Sequence, residues 1–137
     1  MFTLAINNST MRLIIFLSVL FLGISCSVEE GKGGRATIKG KVFVQDFNAE
    51  GTNLLVEDYA PDWEVFIIYG DDDYYGERVT TNYEGTYEFD FLHEGTYTVF
   101  AYSKCDACAN NKEAILIETE IVDKDEVVIL EDLVVLD

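Results

Sequence analysis

Residues 82–103 read NYEGTYEFDFLHEGTYTVFAYS, from Asn82 to Ser103. A turn at Asn82-Tyr83-Glu84-Gly85 opens a segment whose bulky residues alternate as Tyr87, Phe89 and Phe91. A second turn, Leu92-His93-Glu94-Gly95, opens another with Tyr97, Val99 and Ala101. Glu-Gly-Thr-Tyr occurs at 84–87 and again at 94–97. Period-two alternation between glycine-bearing turns predicts antiparallel strands with one buried face. Gly85 and Gly95 supply the positive φ that tight turns need. Tyr87 and Tyr97 are expected to fill the core while their hydroxyls reach backbone partners near the rim.

Outward from this pair, the pattern continues. Ala36 to Phe47 predicts a strand with Ile38, Val42 and Val44 on one face, and Gly40 breaks its alternation, which marks a bulge or close backbone packing. Gln45 to Asp62 is a long connection in which Leu54-Leu55-Val56 forms either a short strand or a plug over the core. Trp63 to Tyr69 is almost wholly apolar, as a central strand covered on both faces would be. Glu77–Thr81, Ala114–Val122 and Val127–Leu136 complete a set of seven, the last interrupted by Glu131-Asp132. No stretch has helical spacing with caps. Seven short strands separated by turns predict an all-β, antiparallel-rich sandwich over residues 36–137.

Gly40, Val42, Val44, Val65, Tyr69, Gly85, Tyr87, Phe89, Leu92, Gly95, Tyr97 and Val99 follow a G-x-Y-x-F…L…G-x-Y-x-V arrangement behind a G-K-V-F-V strand. The domain thereby resembles the carboxypeptidase regulatory-like, or transthyretin-like, Greek-key β-sandwich, an immunoglobulin-like architecture. The resemblance implies a fold and no activity, since such modules are mostly non-catalytic. They accompany peptidases, adhesins and outer-membrane transporters, or stand as small lipoproteins.

The leader points to export. Arg12 is the one charged residue before Cys26, and it precedes an apolar run from Leu13 to Ile24. Twelve residues are too few to span a bilayer, which takes about 20; they suit the apolar centre of a signal peptide. Residues 1–10 carry no charge, so translation is expected to start at Met11. Leu22-Gly23-Ile24-Ser25-Cys26 resembles a lipobox in the loose form of Bacteroidota lipoproteins, which admits Gly23 three before the cysteine. The Ser27-Val28-Glu29-Glu30 cluster resembles their surface-export signal. The expected organisation is a signal peptide at 1–25, a lipidated Cys26 with a flexible tether at 26–35, then the sandwich. The alternative is an ordinary secretory signal with Cys26 a spare thiol. The location expected is the outer membrane, exposed at the cell surface. Acyl chains hold a protein to a bilayer by about 0.8 kcal/mol per buried CH₂.

Composition narrows the partners. Net charge is −17, with 26 acids against nine bases. Such a surface repels nucleic acid and anionic lipid. It suits solubility, a cation or a basic partner.

Four sets of residues are candidates for chemistry. Cys105-Asp106-Ala107-Cys108 is a CxxC: a local disulfide in an exported protein, or else a redox or metal pair. Asp71, Asp72 and Asp73 with Glu77 offer the oxygens calcium prefers, although Tyr75 stands where the calcium-loop template has its third acid. The plain reading is a solvated loop. Tyr74 and Tyr75 beside it are placed to stack on a sugar or partner, or to close the end of the core. His93 is the only histidine and has no nucleophile pattern around it. No enzyme motif is present, so no cofactor is expected beyond calcium. These readings describe a non-catalytic, lipid-anchored envelope protein acting as an interaction or accessory module, with an outer-membrane protein as partner. The alternative is a surface lipoprotein binding calcium or a glycan through the Asp71–Glu77 loop.

Overall fold

One long strand, β1 (Lys32–Phe47), organises the first of two sheets. The computed structural model describes residues 27–137. The signal peptide expected at 1–25, the start at Met11 and the lipidated Cys26 lie outside the described residues. After β1 come β2 (Leu54–Tyr59), β3 (Glu64–Tyr69), β4 (Glu77–Thr80), β5 (Thr86–Leu92), β6 (Gly95–Lys104), β7 (Lys112–Ile121), β8 (Val127–Ile129) and β9 (Leu133–Leu136). A 3-10 turn at Ala109–Asn111 separates β6 from β7.

β1 pairs antiparallel with β2 and β5, and parallel with β8 and β9. The Val42 amide donates to Gly85 O, and Val42 O accepts from the Ala60 amide. The amide and carbonyl of one strand residue point the same way, so β5 and β2 lie end to end along one edge of β1. Thr37 and Lys39, of opposite parity, bond the β8 side. The second sheet has the order β4-β3-β6-β7 and is antiparallel throughout. The core lies between the sheets. Ile38, Val42, Phe89, Leu133 and Val135 from the first meet Val65, Ile67, Tyr97, Val99 and Ile121 from the second, each at most 1% exposed. This is an all-β sandwich.

Several expectations need correction. The strands number nine among the described residues. Glu131-Asp132 splits the last into β8 and β9, whose registers on β1 differ by one residue, as an inserted bulge residue requires. Residues 32–35 are strand, since Lys32 and Ala36 pair with Leu92. The tether therefore shortens. Phe91 leaves the core: its φ is +60°, it is 66% exposed, and Leu92 is buried instead. The register shift between Ala36 and Ile38, where two steps on β1 face the three from Leu92 to Phe89, marks this as a bulge that flips the alternation. Leu54-Leu55-Val56 belongs to an exposed strand and plugs nothing.

Gly40 carries close packing, with no break in register: a Cβ there would stand 2.5 Å from Tyr87 Oη. That hydroxyl is buried without a hydrogen-bond partner, contrary to expectation. Tyr97 behaves as expected, donating to His93 O at 2.7 Å.

Candidate functional site

Alternation puts Val65 and Ile67 of β3 into the core and turns Phe66 to the outer face of the second sheet. On β6, Val99 and Ala101 go inward, while Phe100 and Tyr102 turn outward. Phe66 and Phe100 are direct cross-strand partners. Their rings stack with centroids 5.0 Å apart and planes 13° from parallel. Tyr75, from the β3–β4 connection, meets Phe66 edge-on at 4.9 Å, and Tyr102 does so at 5.6 Å. Phe66 and Phe100 are 7% exposed, against 53% for Tyr75 and 44% for Tyr102. Two accessible tyrosines thus brace on a covered phenylalanine pair. Edge-to-face contacts are each worth about 0.5–1.5 kcal/mol beyond area burial, which holds the tyrosines in place. Arg78 stands opposite Phe66 on β4 and pairs with Glu64 at 2.8 Å, giving the stripe a polar margin.

Phe66 and Tyr102 also form one wall of a cleft of about 390 Å³ at the end of the sandwich where β6 finishes. Trp63, Asp62, Glu64 and Asn111 line it, with Lys104 and Lys112 beyond. Thr81 fixes the Trp63 side. Its hydroxyl donates to Ala60 O at 2.5 Å and accepts from the Trp63 amide at 2.9 Å. Asp62 and Asn111 both have left-handed backbone, φ 57° and 54°; Asp and Asn adopt it most readily among non-glycine residues. Lys104 and Lys112 are direct cross-strand partners, a like-charge arrangement that costs stability. Across the cleft, Asp62, Glu64 and Asp137 supply carboxylates.

The residues singled out in the sequence fall in three places. Asp71, Asp72 and Asp73 are exposed, at the opposite end of the second sheet from the cleft. The Glu77 carboxylate lies 2.7 Å from the Lys32 ammonium, with which it forms an ion pair. Tyr74 is 83% exposed, whereas Tyr75 joins the aromatic stripe. Cys105 and Cys108 form a disulfide, and their loop is closed by the Cys105 amide bonding Asn111 O. Among the described residues, one set of three side chains has metal-ligating atoms within 4.8 Å of one another: Cys105, Cys108 and Glu113, two of them in that disulfide. His93 packs against Gly33, where a Cβ would lie 2.9 Å from its Nε2.

Sequence reasoning missed Phe66, Phe100, Tyr102 and Trp63 as a surface. The signal was there: the outward alternation set holds Phe66 and Ile68 on β3 and Phe100 and Tyr102 on β6, so both strands carry aromatics on the face away from the core.

No protein-family model matches this chain, and no curated protein matches it. Among solved structures it is similar to a candidate carbohydrate-binding protein from Pseudomonas aeruginosa, at 15% identity over 74% of this chain and 90% of that one, with a TM-score of 0.47. The chain itself is an all-β, two-sheet sandwich with an aromatic outer face.

Proposed function

We propose that this chain is a non-catalytic envelope lipoprotein, acylated at Cys26 and carried to the outer membrane, whose transthyretin-like sandwich binds a neutral glycan. The observation that carries the binding reading is the pair Tyr75 and Tyr102, held on Phe66 and continuous with the cleft. A sugar ring has an apolar C–H face and a polar equator. Aromatic rings take the face, and a few convergent carboxylate, amide and ammonium groups take the hydroxyls. Tyr102 and Trp63 supply the first, and Asp62, Glu64, Asn111 and Lys104 the second. The chain's charge of −17 disfavours polyanionic glycans. Calcium at Asp71–Asp73 remains a secondary proposal, and no enzymatic step is assigned.

The test is calorimetric titration of the mature domain with neutral oligosaccharides, beside Tyr102→Ala and Asp71→Asn/Asp73→Asn variants. Saturable binding lost in Tyr102→Ala and kept in the double variant is the expected result. Binding that survives Tyr102→Ala, or needs the aspartates, would move the site to the acidic loop.

A further inference from the structure

We propose that the outer edge of β2 is a docking site for an extended, basic segment of another protein, which joins the first sheet as an added strand. All six residues of β2 are exposed, with Leu54, Leu55 and Val56 at 43%, 61% and 52%. Among the described residues β2 pairs with β1 alone. That pairing fixes which backbone groups are free. The Ala60 amide donates to Val42 O, and the register runs unbroken from Phe43↔Tyr59 to Asp46↔Val56. Peptide groups alternate along a strand, so over this stretch Val56 and Asp58 turn theirs to β1 while Glu57 turns its own away; the register shifts at Leu55, between Asp46↔Val56 and Phe47↔Leu54. Tyr59 is next in the outward set, and its amide already bonds Asp58 Oδ1 at 2.8 Å. An incoming strand pairs with just such outward groups.

Among the described residues, every other edge strand is shorter than β2 or charged: β8 and β9 have three and four residues, and β5 carries Glu88 and Asp90. β7 carries Lys112, Glu113, Glu118 and Glu120, and β4 is four residues long with Arg78 at its centre. Charges and shortness are the usual protection of an edge. β2 is six residues long, keeps its two charges, Glu57 and Asp58, in its second half, and opens on three consecutive aliphatic residues.

Charge selects the occupant. Glu57 and Asp58 lie on β2, Asp46 on the paired stretch of β1, and Glu50 in the connecting loop. Asp132 accepts the Tyr59 hydroxyl at 3.1 Å. Lys41, the base at this edge, sits 4.3 Å over the Tyr59 ring. A second copy would bring Glu57 and Asp58 against their own kind on a chain of charge −17. A segment alternating Lys or Arg with small apolar residues meets both the backbone and the charges.

The probe is a fluorescent peptide as long as β2 that alternates lysine with valine. Its partner probe is N-methylated at every second residue, which keeps charge and side chains and removes the donors of one edge. Fluorescence anisotropy is expected to show saturable binding of the first and about tenfold or greater weakening for the second. Glu57→Pro, which removes an outward N–H and spares the β1 pairing, is expected to weaken binding of the first peptide comparably, and further than Glu57→Ala, which removes the charge alone. Tyr102→Ala is expected to leave it unchanged, which separates this edge from the glycan surface. Equal binding of the two peptides, or no binding of either, overturns the proposal, as does self-association through β2 in sedimentation. Should Glu57→Pro fail to fold by near-UV circular dichroism, the peptide comparison on the unaltered chain decides.

Discussion

The Gly31 amide donates to the Tyr97 hydroxyl at 3.0 Å across 66 residues of sequence. That hydroxyl donates onward to His93 O, and the His93 amide returns to Gly31 O at 2.9 Å. The ring of bonds fastens the N-terminal segment to the β5–β6 turn.

Tyr97→Phe is expected to open this ring. It leaves a backbone donor and acceptor without their partner, at a cost of about 1–3 kcal/mol. A urea melt should show a lower midpoint with an unchanged slope, and amide exchange at Gly31 should accelerate. An unchanged midpoint would mean that water replaces the hydroxyl without loss.

The matching change at Tyr87 has the opposite sign. Its hydroxyl is buried and unpartnered, so Tyr87→Phe is expected to be neutral or to stabilise by up to about 1 kcal/mol. Burial raises the Tyr87 pKa above its ordinary 10.0, and burial does the same, first among causes, for Tyr69 and Tyr97. A raised folded pKa means stability fully present below the unfolded value and lost as pH rises through the folded one. The melting temperature is therefore expected to fall above about pH 10, with a shallower fall in Tyr87→Phe. Thermal melts across an alkaline series check both.

Gly40→Ala places a Cβ 2.5 Å from Tyr87 Oη and 2.8 Å from the ring carbon bearing it. Overpacking of this kind costs about 1–3 kcal/mol. Tyr87→Phe removes the nearer of the two clashing atoms, so the double variant is expected to be less destabilised than the sum of the singles. A double-mutant cycle measures that coupling.

Cys105→Ser with Cys108→Ser removes a short closed loop worth about 2 kcal/mol of chain entropy. The same loop ends at Asn111 and Lys112, which line the cleft. Oligosaccharide affinity is expected to drop with the disulfide, while peptide binding at β2 stays. Titrations of oxidised and reduced protein test this without any mutation.

The two EGTY turns and their strands were legible because alternation, turn glycines and buried rings agree there. Tyr87, Phe89, Tyr97 and Val99 are all core. Phe91 was not legible, because a bulge changes face without changing composition. Tyr87 and Tyr97 read alike in sequence, yet one hydroxyl is bonded and the other is not. What separates them is an acceptor in the turn before Tyr97, His93 O, and a donor brought from far upstream, the Gly31 amide. The aromatic stripe escaped for a related reason. An apolar strand residue reads as core, and only the pairing of Phe66 with Phe100 on an uncovered face reveals a surface. The acidic loop drew attention through its composition, but composition does not say that Glu77 is taken by Lys32.

Fastening Gly31 also sets a direction. Gly31 lies five positions after Cys26, a reach of at most about 18 Å. With Cys26 acylated as proposed, the His93 turn and the Asp71–Asp73 loop face the lipid. β1 then runs outward for 16 residues, about 50 Å of extended strand. The cleft and the β2 hairpin stand at its far end. On such an anchor the first strand would be a mast: it would fix which way the protein looks, and lift both surfaces clear of the headgroups toward whatever passes outside.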